Sequence, residues 1–360
     1  MMADVRNKDR LLTIIYFMGV IDMASYFYSK LDIQSQATYR RIVNAINTRK
    51  VSVKVGHMDA WKFQEIVKGV NYDHPEFFFV NFQEIKMLGI PRAGLVWQIY
   101  YRYRGRALER MVQDIESEIQ RILDKAIHVR QASALDKCRW IHNYFARNIR
   151  YNEAALKNSA LYPDSYTIEG VFKQKTAVCE GIAKAVTLLG DRLGLDLPTV
   201  YGQGISDQIG LGDSHAWNLF LCNGICAHLD VTWDICLSRP LRFTRYDYFV
   251  LSDKDISVDH IYDRKIVAEC MENNGLSYFE MAGRLLTDHR QCERYVESRL
   301  RQKETVVYFK YRPAKGIPKG IEKKMDDMVM QKARECFKAG FTINMAPNLS
   351  QGVFFYRITF

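Results

Sequence analysis

Residues 177–195, with the sequence AVCEGIAKAVTLLGDRLGL, set the fold of the central part of the chain. Gly190 or Gly194 can end a helix here, and Cys179 lies at its predicted N-terminus. The partial positive charge at a helix N-terminus favours a thiolate, which is the nucleophilic form of cysteine. A buried structural cysteine is the alternative. Apolar residues recur behind Cys179 at helical spacing, at Ile182, Ala183, Val186 and Leu189.

Small side chains follow the cysteine on the same predicted helix. They allow another element to pack closely against its first turns. These small residues are Gly181, Ala183 and Ala185.

Two further stretches, DSHAWNLFLCNG at 213–224 and AHLDVTWD at 227–234, predict a hairpin. The dipeptide Asn223-Gly224 between two apolar runs indicates a type I′ turn with a two-residue loop. Such a loop pairs Cys222 with Ile225, and this pair sets the register of both strands.

The register predicts which side chains share one face of the sheet. Counting back from the turn pairs Trp217 with Asp230 and His215 with Thr232, and directly opposed residues share a face. Asp230 then lies diagonal to His215, at about 7–8 Å between backbones. A carboxylate in that place can hold an imidazole in the tautomer that a general base needs. The catalytic prediction is therefore Cys179, His215 and Asp230.

Two tryptophans lie near this predicted set. Trp217, opposite Asp230, is either a hydrophobic wall that contacts substrate and excludes water, or ordinary core. Trp233 should point into the opposite layer.

Other chemistry has less support from the sequence. Cys222, Cys226 and His228 match no common zinc spacing, and Cys222 should face away from the other two. The motifs of serine hydrolases, phosphate loops and H-E-x-x-H metalloproteases do not occur in the sequence. We therefore predict neither a metal nor a cofactor.

The three motifs together resemble those of the bacterial transglutaminase-like superfamily of thiol enzymes. They are V-C-E-G-x-A-x-A at 178–185, H-A-W-N at 215–218 and D-V-T-W-D at 230–234. The flanks at 72–76 and 246–260 also fit, so the likeness covers residues 26–290. Ala177 departs from the glycine usually found two positions before the cysteine.

This resemblance implies an α+β fold with a papain-like core, in which the nucleophile helix packs on an antiparallel sheet. It makes Cys179 the nucleophile, His215 the base and Asp230 the orienting residue of a cysteine peptidase or acyl transferase. The substrate would be a protein or peptide. The alternative is a catalytically idle module that binds a peptide or protein on the same fold.

Four parts are predicted along the chain. An apolar helix or signal-like segment (1–25) precedes an N-terminal α/β unit (26–105), a catalytic domain (106–290) and a C-terminal β-α-β unit (291–360). The pattern predicts helices at 34–49, 59–70, 106–130, 133–148 and 321–337, a loop at 71–76, and strands at 51–55, 77–82, 95–103, 305–311 and 353–360. Residues 202–212 should form a loop that borders the substrate cleft.

Composition limits the possible partners and compartment. The 360 residues are 48% hydrophobic and carry a net charge of +10. This charge is scattered, as on a solvated surface, although an acidic partner is possible. We expect no nucleic-acid partner and no membrane span, because the apolar run at 11–21 is far shorter than the ~20 residues required. Eight free thiols in the cytoplasm are the simplest account, with secretion as the alternative if residues 1–25 act as a signal.

Overall fold

The computed structural model describes residues 25–90, 94–205, 214–337 and 340–359. The apolar run at 11–21 lies outside the described residues, as does most of the predicted loop at 202–212. Within the described residues, no helix is both long and apolar enough to cross a membrane.

The N-terminal part combines helices with a small antiparallel sheet. Asp32 caps the second helix by accepting a hydrogen bond from the Ser35 backbone N–H. The apolar side of that helix is buried, at Tyr39, Ile42, Val43 and Ile46. The helices are α1 (Tyr26–Lys30), α2 (Ile33–Asn47) and α3 (Ala60–Asp73). The strands are β1 (Ser52–Gly56), β2 (Lys86–Ile90) and β3 (Gly94–Gln98), in the order β1-β3-β2.

Three predictions fail, wholly or in part, in this part of the chain. The strand expected at 95–103 ends at Gln98. The strand expected at 77–82 is instead a 3-10 helix, Pro75–Phe77, followed by a turn. The physical reason is burial: all residues from 77 to 80 are buried, whereas a strand on a sheet surface buries alternate side chains. The loop expected at 71–76 is also wrong in its first half, because α3 continues to Asp73.

The central part begins with two long helices, as predicted. Ser133 caps the second by accepting a hydrogen bond from the Asp136 N–H. A short parallel pair, β4 and β5, then leads the chain into the helix that starts at Cys179. The elements are α4 (Gly105–Lys125), α5 (Ala134–Asn148), β4 (Arg150–Tyr151), α6 (Glu153–Lys157), β5 (Thr176–Ala177) and α7 (Cys179–Arg192).

An antiparallel sheet packs against α7. Asn218 on its central strand donates to the backbone oxygens of Ala183 on α7 (3.0 Å) and Leu197 (3.1 Å). The strand order is β10-β6-β7-β8-β9. The elements are β6 (Thr199–Gly204), β7 (Ser214–Cys222), β8 (Ile225–Leu229), α8 (Val231–Leu241), β9 (Phe249–Leu251), α9 (Asp253–Ile256) and β10 (His260–Ile261). Helices and sheets of this kind agree with the predicted α+β class.

The predicted hairpin register is confirmed only in part. Cys222 pairs with Ile225, and the pairing continues to Asn218 with Leu229. The predicted pairs of Asp230 and Thr232 are wrong, because the chain leaves the sheet after Leu229 and α8 starts at Val231. Aspartate is a preferred N-cap residue, and here that local preference ends the strand.

The C-terminal part contains the predicted strand, helix and strand, within a larger sheet. Its elements are α10 (Tyr278–Met281), β11 (Leu285–Leu286), α11 (His289–Arg301), β12 (Val306–Tyr311), α12 (Ile321–Cys336), β13 (Thr342–Met345) and β14 (Val353–Thr359). The sheet order is β11-β12-β14-β13, so β11 and β13 flank the two predicted strands.

Candidate active site

Cys179 is the first residue of α7, as the sequence predicts. Close packing of the first turn follows from Gly181. A Cβ atom there would lie 2.4 Å from the backbone oxygen of Ser165 and 2.8 Å from that of Thr167. This confirms that small residues let another segment approach the helix. The Cys179 side chain is buried, with 9% of its surface exposed.

His215 and Asp230 meet beside the sheet. His215 lies on β7, and Nε2 of its ring donates to Oδ2 of Asp230 over 2.7 Å. The other carboxylate oxygen of Asp230 accepts from the Trp233 backbone N–H at the start of α8 (3.1 Å). The helix cap therefore places the carboxylate against the imidazole, the role that the sequence had given to strand pairing.

The Cys179 sulfur is the second hydrogen-bond partner of His215. Because Nε2 faces Asp230, the nitrogen left for the sulfur is Nδ1. Burial lowers the pKa of His215, but the Asp230 carboxylate and the Cys179 sulfur together raise that pKa to about 10. The geometry thus favours an imidazolium between a sulfur and a carboxylate at neutral pH.

The Asp230 carboxylate is held in its ionised form. Burial alone would raise its pKa, but the charges and hydrogen bonds of His215 and His260 hold the pKa of Asp230 well below its usual range. The structure therefore brings together all three residues of the predicted catalytic set.

Three tyrosines that were not predicted as site residues border the sulfur of Cys179. The register of β4 with β5 places Tyr151 opposite Ala177, two residues before Cys179. The Tyr151 hydroxyl is hydrogen bonded to Cys179, while Tyr72 and Tyr166 interact electrostatically with the sulfur. Burial is the main cause that raises the pKa of each phenol. The charge of Cys179 comes second for Tyr151 and Tyr166, and after that of Glu180 for Tyr72, so all three phenols keep their protons at neutral pH. Strands of two residues are too short to show an alternating pattern, so the sequence carries no signal that would place Tyr151 beside Cys179.

A second histidine contacts the same carboxylate oxygen. Nε2 of His260 lies 3.1 Å from Oδ2 of Asp230, and its Nδ1 lies 2.7 Å from Oδ1 of Asp259. Both His260 and Asp259 are buried. In the sequence, His260 stands at the end of the flank 246–260 and carries no further signal. No spacing rule could link it to Asp230, because β10 joins the sheet at its far edge.

The two tryptophans pack around the histidines. The Trp217 ring stacks on His215 at 5.8 Å between centroids, and its Nε1 donates to Nδ1 of His228 (3.0 Å). Trp217 is 1% exposed, so in this structure it forms the wall behind the imidazole; substrate contact stays a prediction. Trp233 was expected in the opposite layer, but it packs on His215 and on His260, with 4.3 Å between the ring centroids of Trp233 and His260. It does so because it belongs to α8 and not to a strand.

Two groups of side chains have the donor atoms of a metal site among the described residues. One is His215, Asp230 and His260, and the other is His228, Asp253 and Cys270. In the first, the ring nitrogens already donate to the carboxylate. In the second, the cysteine is bonded, because Cys226 and Cys270 form a disulfide. The expectation of eight free thiols is therefore wrong for this pair. Cys226 lies on β8, and Cys270 lies in the segment that follows β10.

Comparisons with known proteins address the family. Residues 122–230 match the family model of the transglutaminase-like superfamily, and this stretch includes Cys179, His215 and Asp230. This part of the chain is therefore similar to the transglutaminase-like superfamily, which agrees with the resemblance of the sequence motifs.

A search of solved structures found the crystal structure of a TGase, with 15% sequence identity and a TM-score of 0.30. The alignment covers 49% of this chain and 48% of that one, so the chain spans about half the length of that protein. The search of curated proteins found no match.

Proposed function

We propose that this protein is a thiol enzyme that attacks a carboxamide or peptide carbonyl through Cys179. The observation that carries the proposal is the order of contacts from sulfur to carboxylate: Cys179 to His215, and His215 Nε2 to Asp230 at 2.7 Å. The family match of the surrounding residues supports it. A papain-like arrangement, with the nucleophile at the start of a helix and the base on a neighbouring sheet, is part of this proposal.

The reaction follows from the roles of the three side chains. The Cys179 thiolate attacks the carbonyl carbon, the C–N bond breaks, and the His215 imidazolium gives its proton to the departing amine. The product at this stage is a thioester. Water or a second amine then attacks the thioester carbonyl, His215 takes its proton, and the C–S bond breaks to release the Cys179 thiolate, which restores the thiolate–imidazolium pair. Water gives proteolysis or deamidation, and a lysine amine gives a crosslink.

The first test is alkylation by iodoacetamide at about pH 6, with peptide mass spectrometry of the cysteines. Cys179 should react well ahead of Cys222 and Cys336, which are partly exposed, because the imidazolium of His215 stabilises its thiolate. Burial raises the pKa of Cys236 and Cys292 to about 12, so these two thiols should stay unlabelled.

The control is His215→Ala, which should remove the advantage of Cys179. A wild-type Cys179 that reacts no faster than Cys222 would contradict the proposal. The second readout is ammonia release from glutamine peptides. Cys179→Ala should abolish that release without a large fall in melting temperature, since the substitution is small.

A further inference from the structure

A buried pair outside the catalytic three, His260 and Asp259, connects them to the C-terminal sheet. His260 contacts Asp230 on one side and Asp259 on the other. A ring with both nitrogens against carboxylates needs a proton at each contact. Either His260 carries both protons, or Asp259 holds one of them. In both cases Nε2 of His260 is a donor to Asp230.

The second oxygen of Asp259 explains which way that proton faces. Oδ2 of Asp259 accepts from the Tyr248 hydroxyl (2.8 Å) and from Nε2 of Gln351 (3.0 Å). With Oδ2 occupied by two donors, only Oδ1 is free to share a proton with His260. Asp259 therefore fixes the orientation of the His260 ring and keeps its Nε2 directed at Asp230.

Gln351 comes from the turn between β13 and β14, 92 residues beyond Asp259. This residue is 3% exposed, and its Nε2 also donates to the backbone oxygen of Asp255 (3.1 Å). Its Oε1 accepts from Lys310 on β12 (3.2 Å). The turn is tight, because Gly352 has a φ of +64° and a Cβ there would lie 2.5 Å from the Tyr311 oxygen.

We propose that His260 and Asp259 are positioning residues that hold the Asp230 carboxylate against His215, and that Gln351 makes the C-terminal sheet part of this support. The inference rests on the proposed function, and it gives the C-terminal part of the chain a role in catalysis. In the described residues Asp230 receives two imidazole donors at one oxygen. Loss of the second donor lets the carboxylate turn, and His215 loses its orientation.

The test exploits the shapes of asparagine and glutamine. His260→Gln keeps an N–H near the Nε2 position and retains the donor to Asp230. His260→Asn keeps one near Nδ1, so it retains only the contact with Asp259. We expect His260→Asn to slow the alkylation of Cys179 at pH 6 about tenfold, the usual effect of one hydrogen bond to a charged group, and His260→Gln to slow it much less.

The pH profile of alkylation separates positioning from general damage. In His260→Asn the pH profile of alkylation should change, because His215 loses its orientation, whereas a merely structural role would lower the amount of folded protein at every pH and leave the profile of the folded fraction unchanged. Titratable groups facing His260 also act on this profile. They are Asp230, Asp259, His215, His228 and Tyr248.

Gln351→Met tests the link to the C-terminal sheet without changing His260. It should slow alkylation several-fold, while Gln331→Met on the exposed face of α12, the matched control, should not. Equal rates in wild type, His260→Asn and Gln351→Met would overturn the inference. So would an equal loss in His260→Gln and His260→Asn.

Failure of the proposed function gives a different result. If wild-type Cys179 shows no special reactivity, the ¹⁵N spectrum of the His215 imidazole decides on positioning alone. A spectrum that changes in His260→Asn but not in His260→Gln supports the inference, and one that is the same in both variants and in wild type overturns it.

Discussion

At the scale of single residues, the sulfur of Cys179 has two hydrogen-bonding partners with opposite tendencies. The His215 imidazolium stabilises the thiolate by its charge, and Tyr151 is a neutral phenol whose hydroxyl donates a hydrogen bond to the sulfur. Both are needed if the thiolate is to persist in a site with 9% exposure, because a buried anion without donors is strongly disfavoured.

Tyr151→Phe should therefore weaken the nucleophile without removing it. We expect the rate of Cys179 alkylation at pH 6 to fall about tenfold, since one hydrogen bond to an ionised sulfur is lost. The control is Tyr166→Phe, whose hydroxyl donates to the Ala155 oxygen at 3.1 Å. If both variants alkylate at the wild-type rate, the Tyr151 hydroxyl does not support the thiolate.

At the scale of elements, the first turn of α7 is placed by its contact with residues 165–167. Backbone oxygens lie where a side chain of Gly181 would begin, and they cannot move as a flexible side chain could. The position of the Cys179 backbone N–H group thus requires that residue 181 has no side chain.

Gly181→Ala should push α7 away from this segment. We expect a lower melting temperature and slower alkylation of Cys179, because overpacking at a rigid contact costs about 1–3 kcal/mol. Gly340→Ala is the matched control, since a Cβ at Gly340 meets nothing within 4 Å. A Gly181→Ala protein as stable as Gly340→Ala would show that the contact gives way freely.

The elements also show how far sequence reasoning reaches. Cys179 could be placed because its helix carries a local 3.6-residue pattern, and the hairpin could be registered because Asn223 and Gly224 both take positive φ in the turn. Asp230 was assigned to a strand although aspartate begins helices well. The three catalytic residues still meet, because a cap one residue beyond the strand points to the same side as His215.

At the scale of the whole molecule, what escaped prediction depends on contacts between distant residues. Gln351 lies 92 residues beyond Asp259, and Cys226 lies 44 before Cys270. Neither pairing leaves a local periodicity. The same holds for the way the C-terminal sheet attaches to the central part, although each of its predicted strands could be read from composition.

A buried ion pair secures that attachment. Nε and Nη2 of Arg245 donate to the two carboxylate oxygens of Asp247 at 2.8 and 2.6 Å, and both side chains are fully buried. Nη1 of Arg245 donates to the Ala346 oxygen, and the Tyr308 hydroxyl donates to Asp247. The pair thus bonds to β12 and to the residue that follows β13.

Asp247→Asn should lower the free energy of unfolding of the protein, because it leaves the buried guanidinium of Arg245 without its counter-charge. Breaking such a pair costs about 3–5 kcal/mol of unfolding free energy, which urea denaturation at pH 7 would measure. Glu297→Gln is the control, since its ion pair with Arg301 lies on the surface and should contribute nothing measurable. If the attachment of the C-terminal part supports the active site, Asp247→Asn should also slow the alkylation of Cys179 at urea concentrations below the unfolding midpoint of the variant. An unchanged alkylation rate would mean that the central part holds its catalytic residues by itself.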